Sequence, residues 1–154
     1  MRPADASLEA LGDVAALAQR AGWGVVVIGA AVPWILATRE DEKRSLRATV
    51  DADAAVGTGT GEECEKLAAT LAEELGFRRV GRGHRFHRGE AQVDLIPFGE
   101  GVVSDGKIVW PEGTAMSALG LAEAFASAVW REVGGREIRV ASEAAFVIMK
   151  LIAY

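Results

Sequence analysis

The stretch Arg47-Ala48-Thr49-Val50-Asp51-Ala52-Asp53 places two carboxylates two residues apart, at the start of an apolar run that ends at Val56. Such a run predicts a β-strand, in which successive side chains point to opposite faces. Asp51 and Asp53 would then share one face, with their Cα atoms about 6.6 Å apart. Two neighbouring acids on a half-buried strand repel each other, and a divalent cation relieves that repulsion. Mg²⁺ prefers carboxylate oxygens, although two ordinary surface acids would give the same short pattern.

A third acid interrupts another apolar run, Val93-Asp94-Leu95-Ile96. This run predicts a strand buried on both faces, where a lone carboxylate is costly unless it is paired or binds a metal. If this strand lies beside the strand that carries Asp51 and Asp53, the three acids complete a metal site.

A short β-branched run from Gly24 to Ile28 predicts a buried strand that ends at Gly29-Ala30, just before a helix that contains Pro33. A strand, a glycine and a helix in this order let the backbone approach a phosphate, which the free N–H groups of the helix can bind. A tight strand-to-helix turn explains the same glycine equally well, and the sequence leaves both interpretations open.

Charged segments surround the acidic runs. Residues 39–47 predict a solvated loop, whose last member, Arg47, is placed to pair with the acids or to neutralise a triphosphate. Two β runs separated by Gly89-Glu90 predict a hairpin, and its first half is basic. The basic side chains of that half are Arg78, Arg79, Arg82, His84, Arg85, His87 and Arg88. They fit either a solvated sheet edge or a strip that tracks phosphates.

Local signals predict two further helices. The run Gly57–Gly61 lacks the Gly-Lys-Ser/Thr of a phosphate loop, and Thr60 followed by Glu63 predicts a capping box instead. Ser142 predicts the N-cap of a last, apolar helix that carries Lys150. That lysine either extends its amine to solvent or holds a triphosphate.

Composition limits the classes of protein. The chain has 154 residues, half of them hydrophobic, which predicts one globular domain. The net charge of −5 excludes a general polyanion binder, so any contact with nucleic acid needs a local basic patch. Cys64 is the single cysteine, which excludes an intrachain disulfide and favours a reducing cytoplasm. No segment predicts a membrane span.

The glycine after the first strand, the Arg-x-Thr-x-Asp-x-Asp strand and the later Asp94 together resemble the polymerase-beta-like nucleotidyltransferase superfamily. Within it, the sequence is most similar to the abortive-infection (AbiEii-type) nucleotidyltransferase toxin group, whose Lys-Leu-x-Ala segment is matched by Lys150-Leu151-Ile152-Ala153. The resemblance begins near Val25 and runs to the last residue. It implies an α/β (α+β) fold with a mixed, mostly antiparallel sheet flanked by helices.

The resemblance also implies an activity: Mg²⁺-dependent transfer of a nucleoside monophosphate from an NTP to an acceptor hydroxyl, with release of pyrophosphate. Two Mg²⁺ ions about 3.5–4 Å apart would clamp the attacking and leaving oxygens. The resemblance assigns catalysis and metal binding to Asp51, Asp53 and Asp94. Asp51 and Asp53 would bind both ions, and Asp94 would complete the nucleophile-side ion and help activate the acceptor hydroxyl. The residues expected to contact the nucleotide are Gly29, Ala30, Lys150 and, from its position before the acidic strand, Arg47.

Two departures from the family pattern affect these expectations. Ala30 stands where a serine would offer a hydroxyl to phosphate, and a later Lys-Asp-x-x-Asp helix is not found. We therefore expect residues 1–154 to be a nucleotidyltransferase catalytic domain truncated at its C-terminus. An RNA acceptor such as tRNA, with an antitoxin protein as partner, is one expectation. Transfer to an antibiotic-type small molecule and a non-catalytic nucleotide-binding module are the alternatives.

Overall fold

The computed structural model describes residues 5–46, 50–81, 83–110 and 113–152. Its helices are α1 (Asp5–Arg20), α2 (Ala31–Leu36), α3 (Glu40–Ser45), α4 (Gly61–Leu75), α5 (Leu121–Ser127) and α6 (Glu143–Ile152). Its strands are β1 (Val25–Ile28), β2 (Asp51–Val56), β3 (Arg78–Arg79), β4 (Arg85–Arg88), β5 (Ala91–Pro97), β6 (Val103–Ser104), β7 (Lys107–Val109), β8 (Ala115–Ser117), β9 (Val129–Val133) and β10 (Arg136–Val140). Among these described residues, no helix combines the length and apolar character that crossing a bilayer requires.

Seven strands form the large sheet, in the order β3-β4-β5-β2-β1-β10-β9. The pairs β2–β5 and β1–β10 are parallel, and the other neighbours are antiparallel. The predicted fold class, a mixed and mostly antiparallel sheet flanked by helices, is therefore confirmed. β6, β7 and β8 form a smaller antiparallel sheet, in the order β6-β7-β8, that is not hydrogen-bonded to the large one.

The two faces of the large sheet have different neighbours. Arg85 and Arg88 lie three residues apart on β4, so their side chains point to opposite faces. Arg88 pairs with Asp13 of α1 at 2.8 Å, and α1 contacts β2, β5 and β10. On β2, Ala52 and Ala54 are fully buried on the face that α1 covers. Their small side chains let the helix approach the sheet closely. The opposite face carries Asp51 and Asp53 and is the face on which α6 lies.

Local sequence signals agree with the structure at the starts of α4 and α6. The hydroxyl of Thr60 accepts a hydrogen bond from the Glu63 amide at 3.2 Å and caps α4, and Ser142 caps α6 through the Ala145 amide at 3.2 Å. The expectation of a loop over residues 39–47 is wrong for most of that segment, since it forms α3. Acids fill the first turn of α3 and bases the last, which complements the helix dipole.

Candidate active site

The two acidic strands are neighbours in the sheet. Asp53 on β2 lies directly opposite Asp94 on β5, and Asp51 lies opposite Gln92. Residues opposite each other on adjacent strands point to the same face, so the three carboxylates converge. One oxygen from each of Asp51, Asp53 and Asp94 lies within 4.8 Å of the others. The structure therefore brings together the three acids that the sequence singled out.

This acidic trio (Asp51, Asp53 and Asp94) has the donor set of a divalent-cation site. Asp94 is only 5% exposed. The pKa of Asp53 is raised from 3.8 to about 7, first by burial and then by the negative charges of Asp51 and Asp94. The raised pKa means that, without metal, ionised Asp53 is disfavoured by burial and repelled by the other two carboxylates. A bound cation would offset that repulsion. Carboxylate oxygens this close suit Mg²⁺ or Mn²⁺, so the residues fit the metal that the resemblance implies.

Arg85 is part of the same cluster. Its Nε and one terminal N–H donate to the two oxygens of Asp94 at 2.9 and 2.8 Å, in a bidentate pair. The same terminal nitrogen lies 3.4 Å from an oxygen of Asp51. This pairing raises the pKa of Arg85, so the guanidinium stays charged. One guanidinium therefore contacts two of the three acids.

Sequence reasoning placed Arg85 in the basic half of the hairpin but did not assign it to the site. The signal was present, because Gly89-Glu90 forms a two-residue turn and a two-residue turn fixes the register of a hairpin. Counting outward from the turn pairs Arg88 with Ala91 and Arg85 with Asp94, as the structure shows.

Gly29 lies at the end of β1 with a φ of +74°, a conformation that L side chains rarely adopt. A β-carbon at this position would collide with Oδ2 of Asp53. The glycine is thus required for a close approach of the backbone to the acid. Ala30, which follows it, is the N-cap of α2 and makes no side-chain cap hydrogen bond.

A cavity of about 280 Å³ opens beside the acids. Asp53, Asp94, Gly29 and Lys150 are among the residues that line it. The positive charge of Lys150 lowers the pKa of Asp53, against the larger opposing effects. The apolar residues that line the cavity are Ile28, Ile96, Met116, Ala141, Phe146 and Met149. Of the residues expected on the nucleotide, Arg47 lies outside the described residues.

His84 lines both this cavity and a second, more open groove of about 720 Å³. Its Nε2 lies 3.8 Å from Asp94 Oδ2, and its ring centroid lies 5.1 Å from that of Trp110. Arg85 and Met116 also line the groove. The sequence did not assign His84 to the site, because its place before β4 depends on how the hairpin packs.

The basic strip has other partners along its length. Arg79 pairs with Glu65 at 2.9 Å and Arg88 with Asp13 at 2.8 Å. Together with Arg85, these side chains are engaged with acids of the same chain. The structure thus adds a third interpretation of the strip, which is internal ion pairing.

No protein-family model matches the sequence, and no curated protein sequence matches it. Solved structures do match. ANT(2'')-Ia, in complex with adenylyl-2''-tobramycin, aligns over 95% of this chain and 75% of its own, with a TM-score of 0.56 and 18% identity. The lincosamide antibiotic adenylyltransferase LnuA, lincomycin-bound, aligns over 91% of this chain and 83% of its own, with a TM-score of 0.50 and 17% identity. An antigenic nucleotidyltransferase-like protein from Paracoccidioides brasiliensis aligns over 99% and 67%, with a TM-score of 0.51 and 13% identity.

At these identities the similarity shows the fold. The chain therefore has the fold of nucleotidyltransferases, in agreement with the superfamily that the sequence resembles. The finer resemblance, to the abortive-infection toxin group, stays a prediction.

Proposed function

We propose that the protein is a nucleotidyltransferase that depends on a divalent metal and moves a nucleoside monophosphate from an NTP to an acceptor hydroxyl. The observation that carries this proposal is the convergence of Asp51, Asp53 and Asp94 within 4.8 Å on neighbouring strands of a nucleotidyltransferase fold. Asp51 and Asp53 would hold Mg²⁺ with Asp94. When bound, the metal supplies positive charge that stabilises the charge developing on the transferred phosphoryl group.

The side chains around the acids indicate how the nucleotide and the acceptor would be oriented. The triphosphate lies in the cavity against the Gly29 backbone and the amine of Lys150, and the base packs on Phe146 and Met149. The acceptor oxygen attacks the α-phosphorus, the bond from that phosphorus to the bridging oxygen breaks, and pyrophosphate leaves. Asp94 orients the acceptor hydroxyl and takes its proton.

The acceptor enters, on this proposal, through the open groove beside His84 and Arg85. In-line displacement requires the attacking and leaving oxygens on opposite sides of the phosphorus. A triphosphate that extends toward Lys150 leaves the Asp94 side for the acceptor. The groove is on that side, because His84 lines it and also lies next to Asp94.

Two acceptor classes follow from different observations. RNA, together with a role as a toxin held by an antitoxin, comes from the sequence resemblance. A small antibiotic-type molecule comes from the fold neighbours, which include ANT(2'')-Ia with its adenylyl-2''-tobramycin and the lincomycin-bound LnuA. Both classes offer a hydroxyl to the same three acids.

The test is transfer of label from each of the four [α-³²P]NTPs with Mg²⁺, in one arm to total RNA and in the other to a panel of hydroxylated antibiotics. We expect transfer by the wild type and a loss of about 100-fold or more in Asp53→Asn, because electrostatic stabilisation of the transition state is lost. Asp105→Asn is the matched control, since Asp105 lies in the exposed β6–β7 turn and has a φ of 50° that asparagine tolerates. Equal transfer by wild type and Asp53→Asn would refute the proposal.

A further inference from the structure

Arg85 completes a lateral row of charges across three strands. It lies directly opposite Asp94, which in turn lies directly opposite Asp53. Its guanidinium donates to both oxygens of Asp94 and lies 3.4 Å from Asp51. The Asp94 side chain is 7% exposed, whereas that of Arg85 is 43% exposed. A buried acid is therefore held by a base that has free space beside it.

We infer that Arg85 acts as the internal counter-charge of the acidic trio, which holds Asp94 and Asp51 in place before metal binds and competes with the divalent cation for them. The cation then binds tightly only together with a triphosphate. This inference rests on the proposed function and assigns to Arg85 a positioning role that also regulates metal entry.

The competition follows from the geometry of the carboxylate. A metal needs oxygen lone pairs, and the bidentate pair uses one on each oxygen of Asp94. The guanidinium also places a positive charge beside the position where the cation must sit, which weakens cation binding. Lys150 on α6 adds a second positive charge that acts on Asp53. Metal binding to the nucleotide-free site is therefore opposed by two resident cations.

A triphosphate reverses this balance. Its phosphate oxygens are additional ligands for the divalent cation. Its negative charges also attract the amine of Lys150. The Arg85 side chain is long and partly exposed, so it can leave Asp94 without disturbing the hydrogen bonds between β4 and β5. The open groove beside it is lined by Arg85 itself and receives the displaced guanidinium.

The test measures Mn²⁺ binding to the nucleotide-free protein by electron paramagnetic resonance. We expect Arg85→Gln to bind Mn²⁺ at least roughly tenfold more tightly than the wild type. The size is taken from proton binding, because one charge within about 4–6 Å changes the proton affinity of a carboxylate by about tenfold or more. Arg88→Gln is the matched control, because Arg88 lies on the same strand, pairs with Asp13 on the other face and should leave Mn²⁺ affinity unchanged. Arg85→Lys keeps the positive charge but cannot form the bidentate pair with Asp94. Its Mn²⁺ affinity should therefore fall between those of the wild type and Arg85→Gln.

Two further measurements locate the effect. Adding a non-hydrolysable α,β-methylene NTP should reduce the difference between wild type and Arg85→Gln, because the triphosphate then outweighs the guanidinium. Asp53→Asn in the Arg85→Gln background should remove the gained Mn²⁺ site. If the gain persists in that double variant, the ion binds elsewhere and the inference is overturned.

Equal or weaker Mn²⁺ binding by Arg85→Gln would also overturn it. If Arg85→Gln does not fold, Arg85→Lys is the deciding variant. A Mn²⁺ affinity equal to that of the wild type would then show that the bidentate pair with Asp94 does not compete with the metal, and would overturn the inference. Failure of the proposed function gives a different result, which is no transfer of label and no Mn²⁺ bound by the wild type even with nucleotide.

Discussion

The backbone of Gly29 lies against the carboxylate of Asp53, so closely that a β-carbon at position 29 would collide with Oδ2. The end of β1 and the middle of β2 thus fit together only because residue 29 has no side chain. This contact limits where the Asp53 carboxylate can lie.

Gly29→Ala should displace the Asp53 carboxylate and weaken both Mn²⁺ binding and label transfer. It should also cost about 1 kcal/mol of stability, because alanine disfavours a φ of +74°. Gly135→Ala is the control, since Gly135 has a φ of +77° and a β-carbon there would meet no other atom within 4 Å. Urea unfolding should show a loss of stability in both variants, whereas only Gly29→Ala should lose metal binding. Equal effects of the two on the site would contradict the role of the close approach.

The raised pKa of Asp53 predicts how stability depends on pH. Its pKa in the folded protein, about 7, lies above its ordinary value of 3.8, so the folded state binds the proton more tightly than the unfolded state does. That contribution to stability is fully present below about pH 4 and is lost as the pH rises through about 7.

Urea unfolding of the metal-free protein between pH 4 and 8 checks this dependence. Asp53→Asn should lose less stability than the wild type over the range, with a difference in slope of at most about 1.4 kcal/mol per pH unit. Asp105→Asn should follow the wild type. Parallel curves for wild type and Asp53→Asn would show that Asp53 ionises as it does in the unfolded chain. Mn²⁺ affinity of the wild type should rise with pH up to about 7 and then level off.

Asp94→Asn should lower kcat by about 100-fold or more, because the amide neither takes the acceptor proton nor offers two carboxylate oxygens to a cation. The asparagine keeps one oxygen for Arg85, so the protein should stay folded. Transfer of label under saturating NTP measures the loss, and near-UV circular dichroism checks the fold. A kcat close to that of the wild type would remove Asp94 from the chemistry.

Lys150→Ala should raise the KM for the NTP about tenfold and change kcat less, because in the proposed function the amine contacts the triphosphate in the ground state and the transition state alike. Lys107→Ala, at the exposed start of β7, is the control and should leave KM unchanged. Initial rates at varied NTP concentration separate the two parameters. A drop in kcat with an unchanged KM would place Lys150 in the chemical step instead.

The sequence by itself determined the local structure. The period of the acidic strand, the caps at Thr60 and Ser142 and the two-residue turn at Gly89-Glu90 depend on residues only a few positions apart, so spacing was enough to predict them. The hairpin register also followed from its turn, although Arg85 was not recognised from it. The loop expected over 39–47 was wrong for residues 40–45, because the charge pattern that suggested solvation also stabilises a short helix.

Only the tertiary structure decided which strands are neighbours. Asp94 reaches Asp53 because β5 lies parallel to β2, and α1 covers the other face of that pair. Residues far apart in the chain select this pairing by burying a shared apolar face, and no short spacing encodes it. The acidic trio, its guanidinium partner and the cavity beside them are therefore properties of the packed sheet.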